Sequence, residues 1–356
     1  MDNQAKMKKT YGWYAFKIAI LGIALTVIGT ISSNVLAPLV FHVDVATSSW
    51  YPFVNTIVFF YLICFPVLLL TCRKDETVKP EKHSLSFGRY LLCIPLMAGM
   101  IAVGGVIGFT INTLLTVPFG VPLSNSSELA EIMMNSNPVL RVLTAGILAP
   151  IVEEMIFRKL LIDRTYRYGE WVAVLTSGLM FGLFHGNFAQ FFFTALIGGF
   201  FAYIYIRTGR VWYTIGLHMI LNLSTSIITM ATIKPYMSVG AGQITEYQEL
   251  LNRVYASGGS DQAAYEQLVA LANDIIPKLF PFTFWFGILC QLALLGMILW
   301  IVLLAKKKFT WKKSVDYVEN GTRFAWQNPG MYLFFAYTMM DFIQYYVLLI
   351  LRERVV

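Results

Sequence analysis

Long runs of apolar residues follow one another along almost the whole chain, and the polar residues are grouped between them. A helix needs about 20 mainly apolar residues to cross a bilayer. The pattern predicts an all-α bundle of about eight transmembrane helices, with a ninth at the C-terminus that either crosses or lies against the inner face. The eight runs cover residues 14–40, 51–71, 91–117, 142–162, 171–186, 188–206, 211–231 and 282–305, and the ninth covers 329–351.

The composition supports this fold class and excludes others. The 356 residues are 57% hydrophobic and 13% charged, whereas soluble domains carry about 25% charged residues. So much apolar surface excludes a soluble two-domain enzyme, a disordered chain and a disulfide-stapled secreted module. The four cysteines form no CxxC pair, which argues against a metal cage built from thiolates.

The net charge of +7 comes from basic residues grouped in short connections, without the basic stripe and interleaved aromatics that bind nucleic acid. We therefore expect a lipid bilayer as partner and no nucleic acid. Because Lys and Arg are enriched in cytoplasmic loops, the grouping predicts a multi-pass cell-membrane protein with a cytoplasmic N-terminus. The basic groups lie at 6–9, 73–89, 158–167, 207–210 and 306–313.

The segment 232–281 is the one sizeable stretch predicted to lie outside the membrane, on the non-cytoplasmic side of a single membrane-embedded domain, 1–356. Thr245 and Gln248 have the spacing of a capping box. The sequence 257–260, Ser-Gly-Gly-Ser, then separates a second helical pattern. We expect an outer insertion of two short amphipathic helices.

A few polar residues interrupt the apolar runs, where an ionised side chain costs about 2.5–3.5 kcal/mol. On a helix, Glu154 and Arg158 are one turn apart and can form an ion pair. Glu153 points about 100° away and has no such partner, so it is the candidate proton-accepting base. The bland alternative is that both glutamates only brace neighbouring helices. The full set is Glu153, Glu154, Arg158, His185, His218 and Asn222.

Two further pairs share a helix face because their members are four residues apart: Phe181 with His185, and His218 with Asn222. One histidine in an apolar helix is usually an interhelical hydrogen-bonder, but two of them with a carboxylate and an amide indicate a site. Glu153 lies near the inner end of its run and His185 near the outer end. Their convergence would require long, tilted helices around a cavity open to the inner side.

At these positions the chain resembles the CPBP family, which comprises type II CAAX prenyl endopeptidases, bacteriocin-processing enzymes and Abi-like relatives. The resemblance covers about 130–230, the expected protease core, and Lys159 departs from the glycine of many relatives. It implies that Glu154 and Arg158 fix their helix and that Phe181 lines the pocket. The motifs are Glu153-Glu154-x-x-x-Arg158, Phe181-x-x-x-His185 and His218-x-x-x-Asn222.

The resemblance implies an intramembrane endopeptidase. Glu153 would accept a proton from a water also held by His185, and that water would attack a peptide carbonyl. His218 and Asn222 would donate hydrogen bonds to the developing oxyanion. The substrates would be hydrophobic or membrane-bound peptides, including prenylated ones if the host prenylates proteins.

Two alternatives stay open at this point. Glu153, His185 and His218 could instead ligate a catalytic zinc ion, although no His-Glu-x-x-His motif is present and the metal-free mechanism without a cofactor is favoured. The same fold could also serve as an immunity or regulatory protein that binds a bacteriocin or a sensor partner without cleaving it. A transporter would show paired repeats with broken helices, and the sequence has none.

Overall fold

The computed structural model describes residues 2–45, 47–121, 136–312 and 314–355, and the regular elements within these ranges are all helices. The predicted all-α membrane bundle is confirmed. The first residues of the expected core, 130–135, lie outside the described residues. In chain order the helices are α1 (Asn3–Leu39), α2 (Tyr51–Cys72), α3 (Phe87–Phe119), α4 (138–165), α5 (Glu170–Leu183), α6 (Phe188–Thr208), α7 (Val211–Met237), α8 (Ala241–Ala256), α9 (Gln262–Ala305), α10 (Gly321–Trp326) and α11 (Pro329–Val355).

Within the described part of the chain, seven helices are long and apolar enough to cross a membrane, rather than the predicted eight. They are α1, α2, α3, α6, α7, α9 and α11. The predicted crossings 142–162 and 171–186 correspond to α4 and α5, which are not among the seven. Helix α5 has 14 residues and rises only about 21 Å, and α4 carries four charged residues between 153 and 159.

Helix α11, the run that the sequence leaves undecided, is one of the seven candidate spans. It packs parallel to α1, so that Gly12 lies against Gly330 and Gly22 lies against Tyr337. A Cβ atom on Gly12 or Gly330 would collide with the other segment. This close approach of two backbones is typical of small residues at membrane helix interfaces, and it makes α11 run along the bundle rather than lie across its face.

The segment 232–281, predicted to form an outer insertion of two short helices, differs from that prediction. Helix α8 begins at Ala241, and Thr245 lies inside it, where its hydroxyl donates to the Ala241 carbonyl. The second helix is not short, because α9 continues through Pro277 and Pro281 into a membrane span and has 44 residues. Its start and the run 282–305 were both predicted, but as separate helices. At the start, the Asp261 carboxylate caps the helix by accepting from the Ala264 N–H at 3.0 Å.

Charged connections gather at one end of the bundle, which we call the basic face (residues 73–86, 163–170, 207–210 and 306–312). Asp75 accepts hydrogen bonds there from Lys17 Nζ at 2.8 Å and Arg164 Nε at 3.0 Å. Both cationic side chains are buried. Asp75 therefore ties α1 and α4 to the connection after α2.

We expect Asp75→Asn to destabilise the folded protein by about 2 kcal/mol, since it leaves two buried cations without their carboxylate. Burial raises the pKa of the Asp75 carboxyl, but Lys17 and Arg164 outweigh burial and hold this pKa below its ordinary value of 3.8. The carboxylate thus stabilises the fold fully above pH 3.8 and loses that effect as the pH falls through the lowered pKa. Thermal unfolding in detergent at several pH values should show wild type and variant converging at the acid end. A difference in unfolding temperature between wild type and variant that does not change with pH would contradict this prediction.

Candidate active site

Helix α4 carries both candidate carboxylates on an irregular stretch of backbone. Residues Val142–Leu148 form wide π-type turns, and the Ala149 N–H donates to the Thr144 carbonyl, five residues earlier. Pro150 follows and has no N–H to donate. The wide turns and the proline set the rotation of the helix at the point where Glu153 and Glu154 leave it.

Glu154 and Arg158 form the ion pair that their spacing predicts. Glu154 Oε2 lies 3.0 Å from Arg158 Nε, and both side chains are 0% exposed. The guanidinium also lies over the ring of Phe181, 4.6 Å from its centroid, and 5.7 Å from that of Phe201. Two aromatic faces thus cover a buried cation, an arrangement that is favourable for Arg.

His218 lies between the two carboxylates. Its Nδ1 donates to Glu154 Oε1 at 3.1 Å, and its Nε2 lies 3.8 Å from Glu153 Oε2. Because a carboxylate only accepts, Nδ1 carries a proton, and Nε2 is the atom that faces Glu153. The Glu153 side chain is 20% exposed while that of Glu154 is fully buried. Glu153 is therefore the carboxylate that a small molecule can reach.

His185 joins this group from the turn that follows α5. Its Nδ1 donates to the Phe181 carbonyl at 2.8 Å, which leaves Nε2 without a proton in the neutral ring. The Phe181 ring lies 4.9 Å from the His185 ring and 5.8 Å from the His218 ring. His185 also interacts electrostatically with Glu153. The structure thus brings both predicted histidines against one aromatic ring, and Glu153 Oε2 lies 3.8 Å from one of them.

Asn222 contacts α4 as well. Its side-chain Nδ2 donates to the Ala145 carbonyl at 2.8 Å. A carboxamide has two N–H donors, so this bond occupies one of them. The predicted oxyanion contact would have to use the other.

Helix α11 packs beside the turn that holds His185, and no sequence pattern predicted this contact. Phe342 packs against Phe188 with ring centroids 4.8 Å apart. The Tyr346 hydroxyl accepts from the Phe188 N–H at 3.1 Å and donates to Asn112 Oδ1 at 2.9 Å. An aromatic residue in an apolar helix looks like any other core position, so no pattern could have indicated this role.

Two further aromatic residues were not predicted. Phe201 of α6 lies 5.9 Å from the His218 ring, and Tyr61 of α2 donates to the Thr144 carbonyl at 3.3 Å.

A cavity of about 580 Å³ at the basic face is lined by Lys159 and Leu160 of α4, but not by any predicted catalytic residue. The cavity expected to reach Glu153 from that side stays a prediction.

The zinc alternative can be compared with the geometry. Among the described residues, no group of three or more His, Cys, Asp or Glu side chains is arranged so that it could hold a metal ion. Zinc binding by Glu153, His185 and His218 stays a prediction. The Glu153 carboxylate and His185 Nε2 can each accept a hydrogen bond from a water.

Comparison with known proteins agrees with the motifs. Residues 135–224 match the family described as type II CAAX prenyl endopeptidase Rce1-like. This match supports the resemblance of the three motifs to the CPBP family. The chain is also 27% identical over 127 residues to a Bacillus subtilis (strain 168) protein named "Putative membrane peptidase YdiL". That match covers 35% of this chain and 52% of the relative, so it spans about half the relative's length. No solved structure matches the chain significantly.

The matched segment 135–224 contains all three motifs and includes α4, α5, α6 and the first part of α7. Helices α1 to α3 and α8 to α11 lie outside it. Several side chains that hold the site therefore come from parts of the chain that the family match does not cover. They include Tyr61 from α2, and Phe342 and Tyr346 from α11.

Proposed function

We propose that this protein is an intramembrane endopeptidase that hydrolyses peptide bonds in membrane-associated or small hydrophobic peptides. The observation that carries the proposal is the placement of Glu153. It is a partly exposed carboxylate whose Oε2 lies 3.8 Å from an imidazole nitrogen, next to a second carboxylate that a buried arginine already pairs. Glu154 pairs with Arg158, and Glu153 is the carboxylate that would accept a proton in the reaction.

The proposed reaction begins with a water held by Glu153 and His185 Nε2. Glu153 accepts a proton from this water as its oxygen attacks the peptide carbonyl carbon, and the carbonyl oxygen becomes an oxyanion. The free N–H of Asn222 would donate to that oxyanion, and His218 would be the second donor with a proton on Nε2 as well as on the Nδ1 that Glu154 holds. Collapse of the intermediate breaks the C–N bond, and the proton on Glu153 passes to the leaving amine.

The proposed orientation places the basic face in the cytoplasm and the hairpin of α8 and α9 outside. It follows from the grouping of basic residues at one end of the bundle. Helix α1 runs from the basic face, where Lys17 binds Asp75, toward the other end of the bundle. Substrates would then reach the site from within the bilayer or from its inner surface.

The test is a comparison of the peptides in membranes and medium of cells that carry wild-type protein or Glu153→Ala. We expect mass spectrometry to find uncleaved precursors that accumulate with Glu153→Ala and fall again with wild type. Glu246→Ala is the matched control, because Glu246 is an exposed carboxylate on α8. Identical peptide sets with wild type and Glu153→Ala, at equal amounts of inserted protein, would favour the non-proteolytic binding role.

A precursor found in this way also tests the cofactor. We expect purified wild-type protein to cleave it at an undiminished rate after dialysis against a chelator. Activity that is lost on chelation and restored by Zn²⁺ alone would establish the zinc alternative instead. Paired precursors with and without a prenyl group would show whether the lipid is recognised.

A further inference from the structure

The Ala145 carbonyl receives no main-chain hydrogen bond from the residues four and five positions later in its own helix. In the wide turns of α4 the hydrogen bonds join residues five apart, so the Ala149 N–H goes to Thr144 rather than to Ala145. The donor five residues after Ala145 would be residue 150, which is a proline and has no N–H. Pro150 thus frees this carbonyl in a membrane-embedded bundle, where an unpaired backbone group is costly.

Asn222 supplies the missing donor from another helix. Its Nδ2 lies 2.8 Å from the Ala145 oxygen. Pro150 is three residues before Glu153, and Asn222 is one turn after His218. One hydrogen bond therefore links the segment that carries the candidate base to the segment that carries the imidazole facing it.

We propose that Pro150 and Asn222 act as a coupled pair, in which the proline frees the Ala145 carbonyl and the asparagine binds it, fixing Glu153 relative to His218. Asn222 is then a positioning residue as well as a candidate oxyanion donor. An alanine at position 150 has a peptide N–H, which can donate to the Ala145 carbonyl five residues earlier in place of Asn222 Nδ2. The activity part of this inference rests on the proposed function, whereas the coupling itself does not.

The neighbouring carbonyl offers a matched control. Tyr61 donates to the Thr144 oxygen at 3.3 Å, but that oxygen also accepts from the Ala149 N–H. Tyr61→Phe therefore removes one of two hydrogen bonds to the Thr144 carbonyl, which keeps its main-chain donor, the Ala149 N–H. Its effect should not depend on whether residue 150 has an N–H.

The first test is a double-mutant cycle on the thermal unfolding of the purified protein in detergent. We expect Asn222→Ala to lower the Tm by several degrees in the wild-type background. In the Pro150→Ala background the same change should have less than half of that effect. Tyr61→Phe should shift the Tm equally in both backgrounds. Equal Asn222→Ala shifts in both backgrounds would overturn the inference, as would failure of both Asn222→Ala proteins to fold.

The second test measures cleavage of a precursor found with Glu153→Ala. Since a displacement of about 1 Å can cost 10²-fold in rate, we expect Asn222→Ala to lower kcat at least tenfold. Pro150→Ala in the same chain should restore most of this loss, a rescue that a pure oxyanion donor would not show. If Asn222→Ala loses kcat equally in both backgrounds with an unchanged Tm, Asn222 acts only on the substrate. If no variant cleaves a peptide, the proposed function fails, and the Tm cycle still decides the coupling.

Discussion

Glu153→Gln is expected to lower the rate of peptide cleavage by about 10²- to 10⁴-fold, the contribution typical of a general base. The amide keeps the size of the side chain and its place 3.8 Å from His218 Nε2, but it cannot accept the proton of the attacking water. Single-turnover rates with a precursor identified in membranes would measure the loss. Unfolding temperatures close to wild type would show that the defect is chemical.

The histidine variants make this prediction sharper. If Glu153 and His185 act on one water, then Glu153→Gln combined with His185→Ala should be little slower than the slower single variant, because residues that act as a unit are not additive. Glu246→Gln, on the exposed face of α8, should cleave at the wild-type rate. Losses that multiply across the two sites would mean that they serve separate steps.

Arg158→Met should have the largest effect on stability, about 3–5 kcal/mol, because it leaves the fully buried Glu154 carboxylate without its cation. Adding Glu154→Gln to the same chain should recover a large part of that loss, since an uncharged pair has no buried charge to compensate. Reversible unfolding in mixed detergent micelles would give both values.

The chain provides a matched control for this cycle. Asp274 and Lys278 have the same four-residue spacing, with Nζ 2.7 Å from Oδ1, but their side chains are 50% and 35% exposed. Lys278→Met should therefore cost less than about 1 kcal/mol. A similar cost at Arg158 would show that burial adds nothing to the Glu154 pair, and a double variant no better than Arg158→Met would show that the charge of Glu154 is not the problem.

Sequence spacing identifies which residues share a turn, and the structure agrees where the argument stays within one helix. Glu154 does pair with Arg158, and His185 bonds to the carbonyl of Phe181, four residues before it. The runs of apolar residues likewise predicted an all-helical bundle, because the length of a membrane span is set by the bilayer. These inferences need only helical periodicity and hydropathy.

Contacts between helices could not be predicted in this way. Nothing in the spacing indicates that Glu154 shares its carboxylate between Arg158 and His218, or that Asn222 reaches Ala145. The capping signal at Thr245 was wrong because a hydroxyl inside a helix can bond to the preceding turn just as well. The continuity of α9 was not predicted, because the pattern after residue 260 and the apolar run 282–305 were assigned to separate helices, whereas the helix continues through Pro277 and Pro281 between them.

The support that Phe342 and Tyr346 give to the turn around His185 matters for engineering. A chain that ended before residue 329 would keep every residue of the three motifs. It would lose the contacts of Phe342 and Tyr346 with Phe188, which follows the turn of His185. Segment 135–224, moved into another protein, would need other side chains to make the contacts of Phe342 and Tyr346. Keeping the three motifs and keeping the packing beside His185 are thus separate requirements in this architecture.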